Sequence, residues 1–151
     1  MRHVMKAGLI AATLALALPM AAMAQNASPV GVWKTIDDET GKPKSLVRIS
    51  EEGGALTGKI EKLFRPADQD QNPKCTSCEG ARKDQPIIGM TILWGLKKDG
   101  SEYTGGQILD PAKGKEYKSK LTLKDNGSKL EVRGYIGAPM FGRSQTWVRE
   151  Q

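Results

Sequence analysis

Four side chains near the C-terminus share a spacing that could recognise an anion. Arg143, Gln145, Trp147 and Arg149 fall at every second position, with Ser144, Thr146 and Val148 between them. In an extended strand that spacing puts the first set on one face and the second set on the other. If Trp147 points inward, so do two guanidinium groups and an amide. Arginines in an enclosed space favour a carboxylate or another anionic head group, to which they offer bidentate hydrogen bonds. Ile88, Met90, Ile92, Trp94 and Leu96 alternate in the same way, so Met90 and Trp94 could supply an apolar wall. Together these residues describe a pocket for an amphipathic acid. The competing reading is that Ile88–Leu96 is ordinary core and the arginines sit at a rim.

The only cysteines, Cys75 and Cys78, stand three positions apart. In an oxidising compartment they should form a disulfide, whose loop is too small to add much chain-entropy stabilisation. A redox couple is the functional alternative, since a Cys-x-x-Cys thiol at a helix start can have a lowered pKa. The βαβ surroundings of thioredoxin-type motifs are missing, and Glu79 stands where haem attachment would need histidine. Two thiols alone are half of a zinc site. No metal or cofactor is expected.

The only histidine is His3. It lies in a segment with the three regions of a secretory signal peptide: a basic start with Arg2 and Lys6, an apolar run from Ala7 to Leu18, and Ala22-Met23-Ala24 before Gln25. Cleavage after Ala24 leaves a domain over 25–151 with no imidazole. The commonest general base and the usual activator of a serine nucleophile are then absent. No phosphate-cradling glycine loop or dinucleotide fingerprint is present either. The expectation is a protein that is not an enzyme. The leader's apolar run is roughly a dozen residues, short of the ~20 needed to span a bilayer, and no later stretch reaches that length. It carries no cysteine for acylation and no twin arginine. A soluble periplasmic or secreted protein, without an integral membrane segment, is expected.

The formal charge is +6, of which Arg2 and Lys6 supply two units. The other cations are interleaved with acids, as in Lys98-Asp99, Lys115-Glu116 and Lys124-Asp125. Such a dispersed balance aids solubility. Nucleic-acid binding would need a clustered basic face with stacking aromatics, and neither is present. Four of the six methionines leave with the leader, so Met90 and Met140 cannot build a methionine-rich copper site.

The elements that must position these residues read as strands separated by turn signals. They are expected at Val30–Asp37, Ser45–Ser50, Ala55–Phe64, Ile87–Leu96, Glu102–Leu109, Glu116–Leu123, Leu130–Ile136 and Arg143–Arg149. Alternation is clear where Leu121 and Leu123 interleave with Lys120, Thr122 and Lys124. One buried and one wet face is the mark of an antiparallel sheet, and Asp125-Asn126-Gly127 is a strong hairpin signal. No amphipathic helix of useful length is found. Eight meandering strands leave two unpaired edges unless the sheet closes, so an all-β up-and-down barrel is favoured over a two-sheet sandwich. The long polar section Arg65–Pro86 interrupts the rhythm, and loops of that length are usually functional or disordered. With Cys75 and Cys78 holding it, it could cap a barrel mouth. The Gly137–Gly142 turn carries Met140 and Phe141, as a lip, a partner contact or a plug.

Gly31-Val32-Trp33 at the start of the first strand resembles the Gly-x-Trp signature of lipocalin-like barrels. The chain as a whole resembles a family of small exported bacterial proteins, the domain-of-unknown-function family numbered 2147. The resemblance is carried by Gly31-Val32-Trp33-Lys34, Cys75-x-x-Cys78, the Gly106–Lys115 segment, Leu130–Gly137 and Phe141–Trp147. It implies an eight-stranded lipocalin-like barrel in the periplasm and lends no activity. In lipocalin-like barrels an arginine on the last strand packs over the tryptophan, which assigns Arg149 to Trp33. Guanidinium stacked on indole contributes roughly 0.5–2 kcal/mol and would plug one barrel end. Ligand contact is the alternative role for this pair.

Three functions remain open. The first is a carrier or sensor of a small apolar or amphipathic molecule, with a cavity lined by Trp94, Met90, Gln145, Trp147 and the Arg143/Arg149 face. The second is a ligand-free envelope module that binds a protein through an apolar patch around Pro139–Phe141. The third is a redox accessory protein, which requires accessible sulfurs on Cys75 and Cys78.

Overall fold

The computed structural model describes residues 8, 10–15 and 27–150. The leader's basic start and its cleavage site lie outside the described residues. Residues 10–15 belong to no helix or strand.

Eight antiparallel strands follow one another: β1 (Gly31–Ile36), β2 (Pro43–Glu52), β3 (Ala55–Leu63), β4 (Thr91–Asp99), β5 (Glu102–Asp110), β6 (Lys115–Lys124), β7 (Lys129–Tyr135) and β8 (Gly142–Arg149). Each pairs with its neighbours in sequence, and β8 returns to β1, so the sheet is a closed barrel. Closure leaves no full-length edge to manage, and the period-2 pattern supplies the inside. On β2 the buried Ser45, Val47 and Ile49 alternate with half-buried or exposed residues; on β7 Leu130 and Val132 do the same. The core includes Trp33, Val47, Ile49, Leu93, Leu96, Leu121, Leu130 and Trp147. Each large apolar side chain taken fully out of water contributes about 1.5–3 kcal/mol, so the interior carries the stability.

The β6–β7 hairpin turns where Asp125-Asn126-Gly127 signals it. All three residues take left-handed backbone, with φ of 50°, 55° and 82°.

The fourth strand departs from its expected bounds. It starts at Thr91, four residues later than Ile87, and runs on through the charged Lys97-Lys98-Asp99. Ile87–Met90 is a turn instead, with Met90 N–H donating to the Ile87 carbonyl at 3.1 Å and Gly89 at φ +91°. Its register against β3 also slips on either side of Gly58. Ile92 and Leu93 are consequently both buried, and the expected alternation fails. Apolar periodicity marks only strand that is half buried; it is silent on the exposed arm that pairs Lys97 with Thr104 and Asp99 with Glu102.

Candidate functional site

The two ends of the barrel differ. The turns after β2, β4 and β6 close one end, where β1 begins and β8 finishes. Trp33 is fully buried there, and its Nε1–H donates to the Pro29 carbonyl at 2.7 Å. The Arg149 guanidinium lies 4.4 Å above the indole ring. It donates to three backbone carbonyls: Gly127 at 2.7 Å, Val30 at 3.0 Å and Ser28 at 2.6 Å. The last strand is thereby sewn to the N-terminal segment and to the β6–β7 turn. Burial pushes the Arg149 pKa down from the usual arginine value, yet guanidinium stays protonated in proteins. Neither Trp33 nor Arg149 lines the barrel cavity at the opposite end; the geometry is that of a plug.

The opposite end is open. A cavity of about 350 Å³ enters the barrel there, within the usual range for small-molecule sites. Its wall is mainly apolar, with Ile60, Ile92, Ile108 and Val132 from the strands and Ile136 and Phe141 from the β7–β8 turn at the mouth. Trp147, 1 % exposed, helps form the floor, and its Nε1–H donates to Gln145 Oε1 at 3.2 Å. Thr35 and Ser45 add hydroxyls that bond each other at 2.6 Å. Next to Gly134, which lines the cavity, its β6 partner Ser119 is fully buried, and its hydroxyl has no hydrogen-bond partner among the described residues.

Charge is confined to the mouth. Lys44, Lys113 and Arg143 line it against one acid, Asp110, whose carboxylate accepts the Ala112 N–H at 3.0 Å. Arg143 is at the rim rather than inside: its side chain is 80 % exposed and reaches Asp38 at 3.3 Å. That ion pair bridges an incomplete seam. β1 and β8 pair only at Trp33–Arg149 and Lys34–Val148, whereas β7 and β8 pair along seven positions. A register shift between Thr35 and Ile36 interrupts the β1–β2 pairing at the same end. The seam therefore parts toward the mouth, and Gln145 is exposed although it lines the cavity.

The structure brings together Arg143, Gln145 and Trp147, and corrects the rest of the expected set. Trp94 is on the outer wall: its β5 partner is Gln107, and Arg82 stacks over its ring at 4.6 Å. Met90 is buried in the core but precedes β4 and does not line the cavity. The two arginines of the last strand do not meet either, because six residues of strand carry Arg149 to the closed end. Thr35, Lys44, Ser45 and Lys113 were missed. Thr35 was within reach, since it is two residues after Trp33 on the same face; Lys113 comes from a turn, which carries no periodic signal.

Arg65–Pro86 does not cap the mouth. It folds on itself, with Cys75 N–H donating to the Gln85 carbonyl at 2.7 Å and Lys74 bridging Pro86. It then packs on the outside of the barrel, where Arg82 joins Glu116 of β6 at 2.6 Å. Cys75 and Cys78 are placed as a disulfide, Cα atoms 5.3 Å apart. Their turn seats on the β5–β6 turn: Cys75 Sγ lies 3.4 Å from the Pro111 carbonyl, and Gly114 meets the Ser77 backbone so closely that no side chain would fit. The residues are 1 % and 2 % exposed. The redox reading needs accessible sulfurs, and burial removes that premise. No cluster of three or more potential metal ligands occurs among the described residues.

This architecture is shared with a solved structure. Protein HP1028 from Helicobacter pylori, described as belonging to the lipocalin family, superposes with a TM-score of 0.70 at 21% identity, covering 82% of this chain and 84% of that one. No curated protein matches. The family model for uncharacterized proteins conserved in bacteria, DUF2147, matches residues 31–149, which spans every strand of the barrel. With the whole barrel inside that match, the chain belongs to the DUF2147 family and has a lipocalin-like fold.

Proposed function

We propose that this is an exported, non-catalytic binding protein for a small amphipathic molecule with an anionic head group. The observation that carries the reading is the one-ended cavity: an apolar interior of about 350 Å³ whose rim holds Lys44, Lys113 and Arg143. An acyl or similar apolar body would lie against Ile60, Ile108 and Val132. Its head would meet the rim cations, where water still screens them and no charge needs burying. Gln145, Trp147 and the Thr35/Ser45 hydroxyls offer the polar contacts that orient a ligand in an otherwise apolar site. Export is supported by the leader pattern of residues 1–24.

The test uses the protein without residues 1–24 and a dansyl-labelled medium-chain fatty acid. Binding should raise and blue-shift the dansyl emission. Ile108→Trp, which fills the cavity, should abolish it, and Arg143→Ala combined with Lys113→Ala should weaken it several-fold. The corresponding dansyl alcohol should bind more weakly than the acid. Absence of binding by either probe, together with an apo mass in native mass spectrometry of protein taken from periplasm, would refute the carrier reading.

A further inference from the structure

Large apolar side chains are exposed unevenly on the barrel. Among residues 27–150, Phe64, Ile88, Ile136, Met140 and Phe141 are exposed, and all belong to segments at the open end. Of these, Phe64 and Ile88, at 37 % and 36 %, are no more exposed than Val30 and Val148 elsewhere on the barrel, at 39 % and 38 %. The most prominent are on the β7–β8 turn, at 66 % for Ile136, 76 % for Met140 and 70 % for Phe141. That turn is held outward rather than folded into the cavity. The Arg133 guanidinium donates to the Pro139 carbonyl at 2.6 Å and to Ser144 Oγ at 2.9 Å, and Phe141 N–H donates to the Ala138 carbonyl at 3.0 Å. A clustered apolar projection kept in water by its own hydrogen bonds marks an interaction surface.

We infer that the open end docks on a lipid bilayer carrying anionic head groups, with the β7–β8 turn entering the interface. Two observations select a bilayer over a protein partner. The apolar lip is continuous with the cavity, since Ile136 and Phe141 belong to both; a molecule leaving a membrane would stay in apolar contact along its whole path. The charges lining the mouth are Lys44, Lys113 and Arg143 against Asp110. Arg143 is already paired with Asp38, and the adjoining β1–β2 turn carries Asp37 and Glu39, so the attraction to anionic head groups rests on Lys44 and Lys113. Among the described residues Lys44 and Lys113 form no ion pair. Apolar insertion and cations together give reversible, lipid-dependent binding, each basic residue adding a few-fold near an anionic surface. The parted β1–β8 seam opens beside this lip, because β8 starts at Gly142. Docking goes beyond the carrier reading, and its choice of a bilayer rests in part on that reading through the continuity of lip and cavity.

The test is sedimentation of the protein lacking residues 1–24 with vesicles of phosphatidylglycerol and phosphatidylethanolamine, and separately of phosphatidylcholine alone. Binding to the anionic vesicles is expected, weaker on phosphatidylcholine and weaker at high salt. Met140→Glu should cut it by about tenfold or more, since a methionine that docking would bury in the bilayer interface is replaced by a charge. Met140 does not line the cavity, so the variant should keep its unfolding midpoint and its affinity for the dansyl fatty acid. Lys113→Glu should reduce the preference for anionic vesicles several-fold. Absence of binding to either vesicle, or binding that Met140→Glu leaves unchanged, overturns the proposal. So does concentration-dependent dimerisation without vesicle binding, lost in Met140→Glu, which would make a second copy the occupant. Vesicle binding without dansyl binding sinks only the carrier reading.

Discussion

Replacing Arg149 should unlatch the closed end of the barrel without touching the cavity. Its guanidinium makes hydrogen bonds to the carbonyls of Ser28, Val30 and Gly127 and stacks on Trp33 at 4.4 Å. A charge-assisted hydrogen bond contributes about 1.5–3 kcal/mol net, and the stacking about 0.5–2 kcal/mol. Those figures do not add in full. The site is only partly buried, and water that enters a truncated site would rehydrate some of the carbonyls. We expect Arg149→Ala to cost about 2–4 kcal/mol, near the strength of one well-made hydrogen bond plus the stacking. Arg149→Lys keeps the charge, but a compact ammonium cannot span three carbonyls or lie flat on the indole, so it should recover about half of the loss at most. Urea unfolding followed by tryptophan emission measures both variants. Thermal midpoints should fall by about 4 °C per kcal/mol for a domain of this size. Binding of the dansyl fatty acid below the transition should stay at the wild-type value, because the plug and the mouth are at opposite ends. If Arg149→Ala lies within about 0.5 kcal/mol of the wild type, or if lysine fully replaces arginine, the plug does not carry the role assigned to it.

Gly114 has φ +66° and faces the Ser77 backbone with no room for a side chain. Gly114→Ala should therefore cost about 2–4 kcal/mol and lift the Cys75–Cys78 turn off the β5–β6 turn. Trypsin should then cut at Lys74, Arg82 or Lys83 before the barrel unfolds; cleavage unchanged from the wild type would refute this. Asp37 is held below its usual pKa of 3.8, first by the Thr40 N–H and then by the Glu39 N–H. A lowered carboxyl pKa adds stability that is present above the unfolded value and is lost as pH falls through the folded one. The β1–β2 turn should loosen only on acidification below 3.8, seen as faster hydrogen exchange at Glu39 and Thr40, and Asp37→Asn should remove that pH dependence.

Much of the fold was legible along the chain because a closed antiparallel barrel is built from local rules. The number and order of strands follow from alternation and turn residues, and Asp125-Asn126-Gly127 could take the left-handed turn that its composition signals. The Trp33–Arg149 pairing came from family resemblance rather than spacing, since the two lie at opposite ends of the sequence. The site was legible only in part. Arg143, Gln145 and Trp147 share the cavity because strand alternation is fixed by backbone geometry. Trp94 fails for a reason that no count of apolar residues reveals: the β3–β4 register slips, which turns Trp94 outward beneath Arg82. Met90 fails because a turn at Gly89 delays the strand.

The sequence by itself determined which residues can face inward wherever a strand keeps its register, because side-chain direction then follows position parity; at the β3–β4 slip parity failed and the tertiary pairing decided. Tertiary structure alone decided at which end of the barrel each inward residue lies, where the seam parts, and that Lys44 and Lys113 meet Arg143 at one mouth. Those are properties of closure and register, set by contacts between strands far apart in the chain, and no local pattern encodes them.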